Sequence, residues 1–153
     1  MFYVEFKNLD EVQGLFNKFP AEVSKNYNRA IAEILTIAQR YAIMGAPVNT
    51  GKLRSSFELS VGLMEGSLRN TADYAYWVAV GRQPGSFPPI SAIEKWVKEK
   101  GIQASPFAIA KSIQQKGTPA NPFWEDALGL AEKASLTIFD KAMKKTLRDI
   151  SKK

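Results

Sequence analysis

Hydrophobic and polar positions follow two different periods along the chain. At the start, Phe2, Val4 and Phe6 alternate with Tyr3 and Glu5, the period of a short strand with one buried face; Asn8 and Asp10 then supply turn or cap chemistry. From Pro20 onward the spacing changes. Val23, Tyr27, Ile31, Ile34, Ala38 and Tyr41 recur every three or four residues, predicting a long amphipathic helix over residues 21–44 that Gly45 and Pro47 end. Alternation returns at Phe57, Leu59 and Val61 against Glu58 and Ser60, and the aromatic run from Tyr74 to Val80 reads as a second, neighbouring strand. Gly62, Gly66, Asn70 and Asp73 between them read as turn residues.

Residues Arg82–Pro89 contain Pro84, Gly85, Pro88 and Pro89, which excludes regular structure and predicts an exposed loop. Three helices follow. Ser91 with Glu94 has the spacing of a capping box, and Gly101 stands where a helix end turns left-handed. Ser105 before Pro106 starts the next helix and Gly117 closes it. Asn121 and Pro122 begin the third, which extends to about Ile150 with Leu128, Ala131, Ser135 or Leu136, Phe139, Ala142, Met143, Leu147 and Ile150 on a drifting apolar face and Gly129 as a point of potential interruption. The expected architecture is α+β: a long N-terminal helix on a small antiparallel sheet, with additional C-terminal helices. All 153 residues are expected to form a single domain, helical from about residue 90.

Composition narrows the chemistry. The chain has neither His nor Cys, which removes disulfides, thiolate nucleophiles, histidine bases and Cys/His zinc sites. Gly45 to Leu53 approaches a phosphate-binding loop but places five residues between Gly45 and Gly51 instead of four, and Leu53 occupies the Ser/Thr position that would hold magnesium. Ser55 and Ser56 lack any base but Lys52. Glu94 and Glu99 are five positions apart and do not share a helix face, and Glu58, Glu65 and Asp73 lack calcium-loop spacing. No catalytic, cofactor-binding or metal-binding residue is assigned, and no small-molecule substrate is expected. Met1 to Asp10 does not have the order of a secretory signal, and no stretch approaches the roughly 18 consecutive apolar residues of a membrane span; a cytoplasmic, non-membrane protein is expected.

The 21 basic and 15 acidic side chains leave a net charge of +6. Residues 1–46 are balanced, with five charges of each sign, while residues 126–153 carry seven basic and four acidic. Lys141, Lys144, Lys145 and Arg148 recur at helical spacing and are the candidate DNA-facing set, although a solvated helix face is the commoner use of such residues. Trp77, Trp96 and Trp124, with Tyr74, Tyr76, Phe87 and Phe123, read better as core or interface groups than as a stacking platform for bases.

Three ordered motifs add a resemblance. Ala46-Pro47-Val48-Asn49-Thr50-Gly51-Lys52-Leu53-Arg54-Ser55-Ser56 resembles the Ala-Pro-Val-Asp-Thr-Gly-Arg-Leu-Arg-x-Ser segment of a family of tailed-phage tail components, the tail-completion or neck proteins of long-tailed phages. Asn70, Asp73-Tyr74-Ala75, Trp77-Val78 and Gly81 are similar to that family's Asn-x-x-x-Tyr-Ala-x-Tyr-Val-Glu-x-Gly stretch, and Gly117 to Phe123 resembles its closing Pro-x-x-Pro-Phe segment. Asn49, Ala79 and Arg82 depart from the family's Asp, Glu and Thr. The resemblance implies a structural virion protein of the tail or neck, without enzymatic activity or cofactor, made in the host cytoplasm. It further implies copies joined into a homo-oligomeric ring, contacts with other neck or tail proteins, and non-specific contact with double-stranded DNA passing through. Pro47, Asn49, Thr50, Gly51, Leu53, Tyr74, Trp77, Gly81 and Phe87 are the candidate oligomer interface. The competing expectation is a small basic nucleic-acid-binding protein that grips phosphates with its C-terminal helix.

Overall fold

The computed structural model describes Asn17 and residues 20–152; the strand expected at Phe2–Phe6 lies outside the described residues. The elements in chain order are α1 (Pro20–Gly45), α2 (Lys52–Ser55), β1 (Phe57–Val61), β2 (Gly66–Asn70), α3 (Ala75–Val80), α4 (Ile90–Lys100), α5 (Pro106–Lys116) and α6 (Phe123–Ile150). They fall into two compact units, one comprising residues up to 75 together with 122 onward, the other residues 76–121.

The first unit is built on α1 and α6, which pack along each other, with the β1–β2 hairpin laid on α1. The expected helix over 21–44 is present, and Val23, Tyr27, Ile31, Ile34 and Ala38 are buried along it, whereas Tyr41 is exposed. Phe57 of β1 stacks on Trp124 of α6 with centroids 5.5 Å apart, while the Phe123 ring meets Phe57 edge-on. Tyr27 lies against Phe139 and Met143. Burying such large rings and aliphatic chains is the main favourable term for a domain of this size.

The partner of β1 is Gly66–Asn70, not Tyr74–Val80, and the register runs from Phe57 opposite Asn70 to Val61 opposite Gly66. Gly66 therefore serves the strand instead of a turn. A Cβ at that position would lie 2.6 Å from both Ile31 Cγ2 and Leu35 Cδ1, so only glycine lets β2 approach α1 this closely. The connecting turn holds Met64 at φ 61°, where Asn28 Oδ1 accepts its N–H at 2.8 Å.

The run from Ala75 to Val80 is helical. Its inward positions are Ala75, Val78 and Ala79, spaced i, i+3 and i+4, and the aromatic side chains Tyr76 and Trp77 point outward. A short apolar run cannot be resolved into helix or strand by composition; here the turn closed by Ala75 N–H on Ala72 O starts the helix and Gly81, at φ 74°, stops it.

In the second unit, Arg82–Pro89 is irregular apart from an isolated bridge, as expected. Pro89, with φ −59°, precedes the first residue of α4, so Ser91 falls inside the helix and the capping box with Glu94 does not form. Gly101 ends α4 at φ 63° with its N–H on Lys98 O. Pro106 opens α5 and Gly117 closes it. Back in the first unit, α6 begins at Phe123, one residue later than an Asn121 cap would place it, and passes through Gly129 without a break. Its buried stripe is Trp124, Ala127, Ala131, Ile138, Ala142 and Thr146. This face is rotated from the expected one: Phe139 and Met143 are half-buried, but Leu136 and Leu147 are exposed.

Candidate assembly surfaces

The first motif leaves the C-terminus of α1. Ala46 is fully buried and its N–H continues the helical ladder onto Ala42 O. Arg54, whose role spacing does not reveal, returns its guanidinium to this end: Nε donates to Ala46 O at 2.8 Å and one terminal nitrogen to Met44 O at 3.3 Å. A cation on the last carbonyls of a helix satisfies orphan acceptors and opposes the dipole. Gly51, at φ 83°, begins α2, where Thr50 Oγ1 accepts the Lys52 N–H and both Ser55 and Ser56 hydroxyls donate to Lys52 O. The serines therefore complete a turn. Leu53 is buried and anchors the motif, while Pro47, Asn49 and Thr50 are exposed and Gly51 half-buried.

Asn70 fastens this turn to the second motif. Its Nδ2 donates to Leu53 O at 2.8 Å and its Oδ1 accepts the Ala72 N–H at 2.9 Å. Thr71 adds N–H and hydroxyl bonds to Ser56 O. The side chain that fixes the approach to Tyr74 is thus the one that holds the 46–56 turn. Tyr74 itself is 40% exposed.

Within the second unit, Trp77 is 61% exposed and meets Tyr76 edge-on at 5.2 Å. Phe87 is exposed on the proline-rich loop and leans on Phe107 at 5.7 Å. Gly81 is buried, so its part is architectural. Arg82 and Thr118 exchange both backbone hydrogen bonds, Asn121 N–H reaches Val78 O, and a Cβ on Gly81 would come within 2.6 Å of Thr118 O. The end of the second motif and the start of the third form one backbone clasp. The third motif closes in the first unit, where Phe123 packs on Gly45 so tightly that an added Cβ would stand 3.1 Å from Phe123 Cβ.

Of the candidate cations, Lys141, Lys144 and Arg148 are exposed and Lys145 is half-buried. At about 100° per residue the four occupy about a 100° arc of α6 and share one flank. Two are already neutralised on their own helix, Lys144 by Asp140 at 2.6 Å and Lys145 by Asp149 at 3.1 Å. Lys141 and Arg148 have no ion-pair partner among the described residues. Asp149 also accepts from the buried Asn26 amide at 3.0 Å, and this hydrogen bond, with the one from Lys145, lowers its pKa below the ordinary carboxylate value. Among the described residues no His, Cys, Asp and Glu grouping suited to a metal occurs, and no helix is long and apolar enough to cross a membrane.

Residues 10–81 match the family model described as Bacteriophage HK97-gp10, putative tail-component. That span contains the first two motifs and stops at the clasp, covering just under half of the chain. It agrees with the tailed-phage tail-component family that the motifs resemble, and supports a structural phage tail protein. No curated protein and no solved structure matches the chain.

Proposed function

We propose that the protein is a non-enzymatic virion component at the head-proximal end of the tail or at the neck, where copies join into a ring through which DNA passes. The observation that carries the reading is the tail-component match over residues 10–81. Exposed residues in each unit suit subunit contacts: Pro47, Asn49, Thr50 and Tyr74 in the first, Trp77 and Phe87 in the second. Trp77 is the strongest anchor candidate, because a large amphipathic ring left mostly in water gains much area when a neighbour covers it. Of the four candidate cations, Lys141 and Arg148 are more available to a passing phosphate backbone than the ion-paired Lys144 and Lys145, in a contact without sequence preference. A modest number of such contacts suits DNA that must move.

The test replaces Trp77 and Phe87 with Ala. Both side chains are exposed, so the protein should stay soluble with unchanged helicity while electron microscopy shows neither rings nor completed tails. Normal completion of tails by the double variant overturns the interface.

A further inference from the structure

The face of α6 turned away from α1 carries a short pattern with its own symmetry. Leu136, Asp140, Lys144 and Leu147 follow at intervals of four, four and three residues, which places all four on one stripe of a straight helix. That stripe is opposite the buried Ile138, Ala142 and Thr146. Leu136 is 81% exposed and Leu147 50% exposed, and between them lies the Asp140–Lys144 ion pair. A leucine as fully in water as Leu136 contributes nothing to this chain's own core and is free to be covered by a neighbour.

We infer that this stripe is a two-fold contact with a second copy of the chain, in which two α6 helices pack antiparallel. Read forward, the stripe is apolar, acid, base, apolar; read in reverse, it is apolar, base, acid, apolar. Laying one copy antiparallel on another about a centre between residues 141 and 142 sets Leu136 level with the second copy's Leu147 and brings Asp140 to within one residue's rise, about 1.5 Å, of level with its Lys144. Every residue then meets its complement, and each ion pair within a helix becomes part of a four-charge network across the contact. A parallel arrangement would set Asp140 on Asp140 and Lys144 on Lys144, which like-charge repulsion opposes. A nucleic acid or an anionic lipid surface has no use for a stripe whose charges cancel. Isologous contacts of this kind are self-complementary by symmetry. With four side chains from each copy it falls below the size of a stable interface, so the association is weak. It is a different contact from the ring interface proposed above, and does not depend on it.

The absence of cysteine makes the geometry directly readable. Leu136→Cys and Leu147→Cys variants of the full chain, mixed under mild oxidation, should give a disulfide between residue 136 of one copy and 147 of the other in preference to either homodimer. Sedimentation at rising concentration should show a monomer–dimer equilibrium that Asp140→Lys or Lys144→Asp alone weakens by roughly tenfold or more. The Asp140→Lys, Lys144→Asp double variant, which restores the complementary order with the signs exchanged, should recover it. These positions are exposed, and unchanged circular dichroism will show that each variant folds. Preferential 136–136 linkage, indifference to single charge reversal, or a monomer with no cross-link at any concentration overturns the proposal. Ring formation by the Leu136→Cys variant under reducing conditions is read separately, so that failure of either contact is distinguishable.

Discussion

Ile34 is 3% exposed, on the α1 face that meets the rest of its unit. Truncating it to Ala should destabilise the protein by about 2–5 kcal/mol, read as a lower denaturation midpoint with an unchanged slope. Asp149 gives a prediction with a definite sign. Its folded pKa lies below 3.8, so its contribution is present above the unfolded value and disappears as pH falls through the lowered folded value. Denaturation midpoints measured from about pH 6 downward should drop in the acid range, and Asp149→Asn should flatten that part of the curve. A third residue tests the helix itself. Gly129 lies within α6 with nothing within 4 Å of an added Cβ, so Gly129→Ala should stabilise by about 0.4–1 kcal/mol.

The elements differ in how far the sequence discloses them, and the reasons are physical. α1 is legible because its inward residues from Val23 to Ala38 keep one helical period, with Gly45 and Pro47 after them to stop it. β2 is not, since Gly66 and Asn70 are turn residues by type and only the proximity of Ile31 and Leu35 explains a glycine in that strand. α3 misleads because Tyr76 and Trp77 are strand-favouring by composition, whereas its small inward residues are what allow a short helix there. In α6 the leucines do not mark the buried face. Small Ala131, Ala142 and Thr146 let α1 come close, and Leu136 and Leu147 are left outside. Among the candidate site residues, Trp77 and Phe87 are exposed, while Leu53 and Gly81 are buried. Arg54 and Asn70, the side chains that brace the first turn, are revealed only by three-dimensional hydrogen bonding.

For the whole molecule, charge makes a quantitative statement. If the flank of α6 meets DNA, the cations already held by Asp140 and Asp149 contribute less than Lys141 and Arg148. Changing those two to Gln should make the slope of log affinity against log salt shallower by roughly two, at about 0.9 for each phosphate no longer neutralised, without altering the fold. An unchanged slope would assign the flank to solvent. The backbone exchange between Arg82 and Thr118 has a further consequence for how the chain is put together. Because two residues so far apart in sequence are paired directly, everything between them departs from and returns to one point. A β-paired junction of that kind is the geometry a two-residue Asn-Gly turn closes. A chain in which residues 83–117 are replaced by such a turn should therefore retain the cooperative unfolding of α1, the hairpin and α6, and the junction offers a natural place to exchange the intervening 35 residues for another module.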